Sequence, residues 1–229
     1  MARDARVERG LLAQLTERRR RVDGGERPLG WKLGMGVPAA MEKLGTTAPL
    51  VGYMLESARL EPGATCNVTG WANPRLEPEV AVHMGADLPG GTSREQAERA
   101  IAGLGTAIEL VDPDPDAADP EAILASNIFH RHVLLGPLRD GAASEGLSAR
   151  VTRNGEEAAT ADDATGATGD LVDLVAHVAS TLEPAGERLR AGDVVICGSI
   201  VPALELAPGD EIAVTVEPLG SVSVRVAAG

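Results

Sequence analysis

Hydrophobic and polar positions alternate most clearly from Leu76 to Met84, where Leu76, Val80 and Val82 fall on one face of an extended chain and Glu77 and Glu79 on the other. At roughly 3.3 Å of rise per residue the two carboxylates stand about 6 to 7 Å apart, close enough to share one cation above the strand. Two solvated surface acids are the simpler alternative. Pro78, between them, cannot donate to a sheet ladder and predicts an edge, a strand start or a bulge. A second strand candidate, Leu104 to Asp112, carries Glu109 among apolar residues. A buried, unpaired carboxylate costs several kcal/mol or takes up a proton. Glu109 therefore needs a partner. No basic residue stands beside it in sequence, which leaves a metal ion or an arginine from elsewhere in the fold.

Helical spacing appears at Val7, Leu11, Leu12 and Leu15, predicting an N-terminal helix closed by Gly24-Gly25 with Arg18 to Arg21 at its C-terminal end, where cations are favoured. Ser93-Arg94-Glu95-Gln96 offers a capping box for a helix to about Gly103, Pro120 to Ser126 suits a short helix, and Leu171, Leu174, Val175, Val178 and Leu182 predict a fourth ending before Pro184. Further strands are expected at Val51 to Met54 and Val133 to Leu135. In the last third Asn154-Gly155 signals a hairpin, two matching turn-strand units begin at Gly192-Asp193 and Gly209-Asp210, and Val222 to Val226 closes the chain. Strands cluster while helices stay peripheral, so the fold class expected is α+β with a mixed, rolled sheet. A chain of 229 residues suits one large domain.

Composition narrows the function classes. A net charge of -13 argues against nucleic acid or an anionic membrane as partner, and four aromatics (Trp31, Trp71, Tyr53, Phe129) leave no stacking platform for single strands. Cys66 and Cys197 form neither a disulfide framework nor a cysteine-rich zinc site. MARDARVERG lacks the apolar region of a signal peptide and no apolar run approaches a bilayer span, so a cytoplasmic protein is expected.

Lys32 lies in the apolar, glycine-punctuated segment Leu29 to Gly36. It is either a snorkelling surface lysine or a partly desolvated one suited to proton transfer. Gly34, Gly36 and Ala39 also satisfy a dinucleotide-binding pattern, but the helical stretch after them is too short for that motif. Asp112 to Asp116 looks like the start of a calcium loop, yet Ala117 and Ile123 stand where Gly and Glu are required, so a solvated acidic loop is expected. His130 and His132 share a face if extended. Two histidines alone do not complete a zinc site, and a structural or substrate-side role is expected for them.

In order along the chain, GWKLG around Lys32, PRLEPEVAV around Glu77 and Glu79, AIELVD around Glu109, the VLLG strand, RNGE, GDVVICGS, APGD and LGSVSVRV resemble one branch of the fumarylacetoacetate hydrolase superfamily. That branch holds the 2-keto-4-pentenoate hydratases and 4-oxalocrotonate decarboxylases, and the resemblance runs from about Gly30 onward. It implies a mixed β-roll of the fumarylacetoacetate hydrolase C-terminal-domain type with peripheral helices, spanning 30–229 behind an N-terminal helical segment of 1–29. It implies Mg²⁺ or Mn²⁺ on Glu77, Glu79 and Glu109, Lys32 as the catalytic proton carrier, Asn127 and Ser199 as substrate contacts, and a homo-oligomer, dimer or larger. The activity implied is a divalent-metal-dependent lyase acting on a small 2-oxo acid through a metal-bound enolate, a 2-keto-4-pentenoate hydratase first. A 2-oxo acid decarboxylase and an acylpyruvate-type C–C hydrolase, with His130 or His132 as base, are the enzymatic alternatives; a noncatalytic metal-binding homo-oligomeric module is the alternative of another class. Three departures touch the pocket. Gly36-Val37 replaces a frequent Thr-Ser pair, Ser126-Asn127 a common Asp-Asn, and Ile200-Val201 stands where threonine is frequent; the segment before Gly30 is also shorter than usual.

Overall fold

The computed structural model describes residues 4–141 and 144–228. Its strands are β1 (Pro28–Gly34), β2 (Leu50–Leu55), β3 (Arg59–Leu60), β4 (Thr65–Cys66), β5 (Arg75–Met84), β6 (Ile101–Val111), β7 (His130–Leu135), β8 (Arg139–Asp140), β9 (Ser148–Arg153), β10 (Glu156–Ala161), β11 (Val194–Ser199), β12 (Leu204–Glu205), β13 (Glu211–Glu217) and β14 (Gly220–Val226). The helices are α1 (Ala5–Asp23), α2 (Pro38–Leu44), α3 (Arg94–Ala100), α4 (Pro120–Ala125) and α5 (Leu171–Leu182). A 9-stranded mixed sheet follows the path β2-β1-β11-β5-β6-β7-β3, with β12 beside β5 and β8 beside β6. A 5-stranded sheet runs β10-β9-β13-β14-β4. The α+β expectation holds.

The large sheet has to roll. Its outer strands β2 and β3 are joined only by the 3-10 turn Glu56–Ala58, which spans at most roughly 14 Å. Laid flat at about 4.8 Å per strand, the path would hold those strands roughly 29 Å apart. Curling turns one face of every strand inward. Along β5, β6 and β11 the inward set includes Ala81, Ala107, Val194 and Ile196, which pack with Met54, Val133 and Leu135 as an apolar plug. By alternation the same faces carry Glu77 and Glu79 on β5, Glu109 on β6 and Lys32 on β1. The opposite faces join the main core, where Trp31, Leu33, Val80 and Leu110 meet α5 and the smaller sheet through Val175, Val178, Val214 and Val222.

Local chemistry explains the helix ends. Asp4 caps α1 by accepting from Arg6 N at 2.9 Å, and Gly24 closes it. The arginine run is a set of ion pairs: Arg18 and Arg19 share Glu187, Arg20 meets Glu17 and Arg21 meets Glu26. The Arg18 guanidinium also lies 4.6 Å over the Trp31 ring. Ser93 and Gln96 form the expected capping box, but α3 stops at Ala100 and not near Gly103. Ile101, β-branched, already begins β6 there. Asn154 and Gly155, at φ 53° and 83°, make the β9–β10 hairpin turn.

Pro78 proves to lie in a central strand, opposite Ile108 of β6. The irregularity falls on the neighbouring β11, between Ile196 and Ser199, and Ile200 N donates to Pro78 O at 2.8 Å. The acidic loop is only partly solvated. Asp112 is nearly buried and accepts from Asn73 N at 2.7 Å and from Arg131 at 2.9 Å. Among the described residues no helix is long and apolar enough to cross a membrane. Cys66 and Cys197 are free and buried.

Candidate metal centre and active site

The rolled sheet brings the three acids together. Glu77 faces Glu109 directly across the β5–β6 pair, and Glu79 follows on the same face of β5. One carboxylate oxygen from each lies within 4.8 Å of the others. Glu79 and Glu109 are fully buried, whereas Glu77 is half-buried at a cavity wall.

Glu109 has two protein partners that its sequence neighbourhood did not reveal. Lys32 Nζ lies 2.5 Å from Oε1, and His130 Nδ1 meets the same oxygen at 2.6 Å. Of the two partners left open for Glu109, a metal ion or an arginine, the second role is filled by a lysine. In a flat sheet β1 and β6 would be about 14 Å apart, so this ion pair exists because the sheet is rolled. Lys32 is 1 % exposed and also donates to Ile128 O at 3.3 Å, which makes it the desolvated lysine and not the snorkelling one. Gly52, opposite Lys32 on β2, clears its path: a Cβ there would lie 2.8 Å from Lys32 Cγ.

Ile128 sits in a left-handed turn, Asn127, Ile128 and Phe129 having φ of 54°, 52° and 62°. Such a run of non-glycine residues is strained and persists only where the surroundings impose it. Asn127 imposes it. Its Oδ1 accepts from Tyr53 N and its Nδ2 donates to Tyr53 O, both at 2.9 Å. The side chain expected to contact substrate makes both bonds to the scaffold, and it lies outside the cavity that Glu77 lines, on the wall of another with Tyr53 and His130. Ser199 does line that cavity, with its hydroxyl donated to Val201 O at 2.6 Å.

Gly198 N donates to Glu79 Oε2 at 2.6 Å. The β11 irregularity turns this amide toward the acid, and its φ of 95° is one that glycine adopts readily. Two carboxylate oxygens are left buried without any partner, Glu79 Oε1 and Glu109 Oε2. Burial, then the charge of Glu109, pushes the Glu77 carboxyl up to about 7. Burial, then Glu109 and Glu77, raises Glu79 well above the usual carboxylate range. Burial would raise Glu109 too, but Lys32 and His130 outweigh it and hold that carboxyl below its ordinary value. Burial, with Glu79 nearby, pushes the Cys197 thiol up, so it stays a thiol.

The donor set fits a hard divalent cation. Ionised, as a bound cation would hold them, three carboxylates against one ammonium leave two negative charges, and the unpartnered oxygens belong to acids of the trio. His132 does not join: its Nδ1 meets Ala58 O at 3.3 Å and its ring stacks on Trp71.

Beside the trio opens a cavity of about 370 Å³ walled by β1, the start of α2 and the 197–203 segment. It includes Gly36 and Val201, two of the positions where polar groups are replaced, while Ser126 lies away from it.

Comparison with known proteins places these features in context. The sequence model of the fumarylacetoacetate (FAA) hydrolase C-terminal family matches residues 33–227. A 2-hydroxyhexa-2,4-dienoate hydratase of Comamonas testosteroni is 28% identical over 227 residues, covering 96% of this chain and 86% of the relative. A 4-oxalocrotonate decarboxylase of Pseudomonas putida is 27% identical over 214 residues, covering 91% and 81%. The solved structure of 4-oxalocrotonate decarboxylase from Pseudomonas putida G7, complexed with magnesium and adipate, superposes with a TM-score of 0.86 at 27% identity, covering 93% of this chain and 83% of that one.

Proposed function

The chain belongs to the fumarylacetoacetate (FAA) hydrolase C-terminal family, and on that premise we propose that it is a divalent-metal-dependent lyase acting on a small 2-oxo acid, a 2-keto-4-pentenoate hydratase-like enzyme first and a 2-oxo acid decarboxylase second. The observation that carries this reading is the buried acid trio with unpartnered Glu79 Oε1 and Glu109 Oε2, set beside an open cavity. Glu77, Glu79 and Glu109 would hold Mg²⁺ or Mn²⁺. When bound, such a cation supplies a Lewis acid that stabilises negative charge developing on a 2-oxo oxygen.

The protein's own groups divide the remaining work. Lys32 moves the proton, its ammonium held out of bulk water between Glu109 Oε1 and Ile128 O. His130 balances Glu109 from the other side, so the carboxylate that orients the lysine stays ionised. The apolar plug behind the site keeps water from the ammonium. Ser199 offers a hydroxyl oxygen at the cavity wall for a substrate. Asn127 acts at one remove, by fixing the turn that carries Ile128 O and His130.

The reading extends to the whole molecule. Residues 30–229 form the catalytic unit with 1–29 as a helical segment against it, the assembly is a homo-oligomer, and the compartment is the cytoplasm, where buried free thiols such as Cys66 and Cys197 stay reduced.

Product analysis tests the proposal. With Mg²⁺ and a 2-hydroxy-2,4-dienoate, the expected result is a hydroxylated 2-oxo acid, lost on chelation and in Glu79→Gln. Release of CO₂ from a dicarboxylic 2-oxo acid would move the assignment to decarboxylation, and two carboxylic or keto fragments from an acylpyruvate to C–C hydrolysis. Mg²⁺ binding without turnover or binding of any 2-oxo acid would leave a noncatalytic module.

A further inference from the structure

Resting on the 2-oxo acid reading of the site, we infer that Thr168 is a substrate-binding residue whose hydroxyl donates to the carboxylate of the bound 2-oxo acid. A 2-oxo acid that chelates a cation commits its oxo oxygen and one carboxylate oxygen to it. The other carboxylate oxygen needs a donor, because a charged acceptor taken out of water without one is costly. The cavity beside the trio offers few. Among the described residues that line it there is no lysine, arginine or histidine, and Lys32 and His130 are turned to Glu109 and are not part of the wall. Glu77, ionised on a bound cation, can only accept. The wall side chains that carry a hydroxyl or thiol hydrogen are Thr168, Cys197 and Ser199. Ser199 donates to Val201 O at 2.6 Å, and the Cys197 thiol faces Val195 O at 3.7 Å. The Thr168 hydroxyl has no protein partner among the described residues and is not sealed from solvent.

The fold fixes that hydroxyl before any ligand arrives. Asp163 Oδ1 accepts from Thr165 N at 2.8 Å and from Thr165 Oγ1 at 2.7 Å, and Thr165 O accepts from Thr168 N at 3.2 Å and Gly169 N at 2.7 Å. Two residues on, Asp170 caps α5 and accepts from Arg94 at 2.7 and 2.8 Å. On the cavity side the Thr168 methyl packs over Gly198, where a Cβ would lie 3.1 Å from Thr168 Cγ2. Gly198 N is the amide that donates to Glu79 Oε2, so Thr168 stands at the acid end of the cavity. With its methyl set against Gly198, the β-branched side chain has one χ1 and the hydroxyl one direction.

Isothermal titration of pyruvate into the Mg²⁺-loaded protein tests this apart from turnover. Thr168→Val keeps the shape and removes the donor, whereas Thr168→Ser keeps the donor and removes the methyl. Expected is a Kd for pyruvate raised about tenfold or more in Thr168→Val, as for loss of a hydrogen bond to a charged acceptor, and within about threefold of the unaltered protein in Thr168→Ser. The Kd for Mg²⁺ should stay unchanged in both. With a 2-hydroxy-2,4-dienoate, KM should rise by about the same factor in Thr168→Val and kcat should stay within about threefold, since the carboxylate is held alike in the ground and transition states. Unchanged pyruvate binding in Thr168→Val would leave the carboxylate to backbone amides. Equal weakening in the two variants would make the methyl packing the cause, and a parallel loss of Mg²⁺ affinity would make Thr168 a prop for Gly198. Each of these overturns this inference alone. Failure of pyruvate to bind the unaltered protein in Mg²⁺ overturns the 2-oxo acid reading and this inference with it.

Discussion

Glu77 and Glu109 stand directly opposite each other on antiparallel β5 and β6, a placement that sheet pairing ordinarily avoids for like charges. Glu79 adds a third acid, and one Lys32 cannot balance all three. The metal-free protein should therefore be less stable than its fold allows. Mg²⁺ should raise Tm and a chelator should reverse the rise. Glu79→Gln should raise the Tm of the metal-free protein chiefly at high pH, where the raised Glu79 carboxyl would have to give up its proton in a buried setting, and should abolish the Mg²⁺ response. Thermal unfolding with and without Mg²⁺ measures both; a full Mg²⁺ shift in Glu79→Gln would take that residue out of the ligand set.

The pH dependence follows from Glu77. Its folded carboxyl is raised to about 7, from an ordinary value of 4.5, by burial first and Glu109 second. A group raised in the folded state binds its proton more tightly there than in the unfolded chain. Its contribution is fully present below about 4.5 and is lost as pH rises through about 7. A cation competes with that proton, so the Mg²⁺-induced rise in Tm should grow between about pH 5.5 and 8, and protons should be released on ion binding near pH 6, from Glu77 and from the likewise raised Glu79. Titration in buffers of different ionisation enthalpy counts the protons. A Mg²⁺ response independent of pH would mean that Glu77 is already ionised without metal.

Much of this was legible in the sequence because it is local. Alternation around Glu77 and Glu79 and the apolar setting of Glu109 marked strands, and Gly24 and Asn154-Gly155 marked ends and turns. The partner of Glu109 was not legible, because Lys32 reaches it only after the sheet rolls across β11 and β5. The left-handed turn at Asn127 to Phe129 carries no glycine to announce it. The resemblance implied substrate contact for Asn127, and the bonds its side chain makes to the Tyr53 backbone were not legible in the sequence. Asp112 read as solvated since its partners, Asn73 N and Arg131, come from other elements.

Lys32→Met separates the proton-transfer role from the structural one. The substitution leaves Glu109 with His130 alone, and losing one member of a buried ion pair costs about 3–5 kcal/mol. Mg²⁺ should recover part of that stability by supplying positive charge to Glu109. It should not recover turnover, which is expected to fall by about 10²–10⁴ when a positioned proton carrier is removed. Measuring Tm and kcat on the same Mg²⁺-loaded sample distinguishes the two effects. Unchanged turnover in this variant would remove Lys32 from the mechanism.

Asn127→Ala tests whether the strained turn matters to the site through geometry alone. The side chain makes two hydrogen bonds to the Tyr53 backbone, and their loss leaves a donor and an acceptor of β2 unpaired, at about 1–3 kcal/mol. Without that clamp the residues 127–129 can relax toward ordinary backbone angles, carrying Ile128 O away from Lys32 Nζ and His130 away from Glu109. The variant should then lose kcat while KM changes little, since Asn127 lies outside the cavity beside Glu77 that is proposed to take substrate. Mg²⁺ should still bind, because Glu77, Glu79 and Glu109 stay in place on β5 and β6. A rise in KM with kcat preserved would instead put Asn127 in contact with substrate.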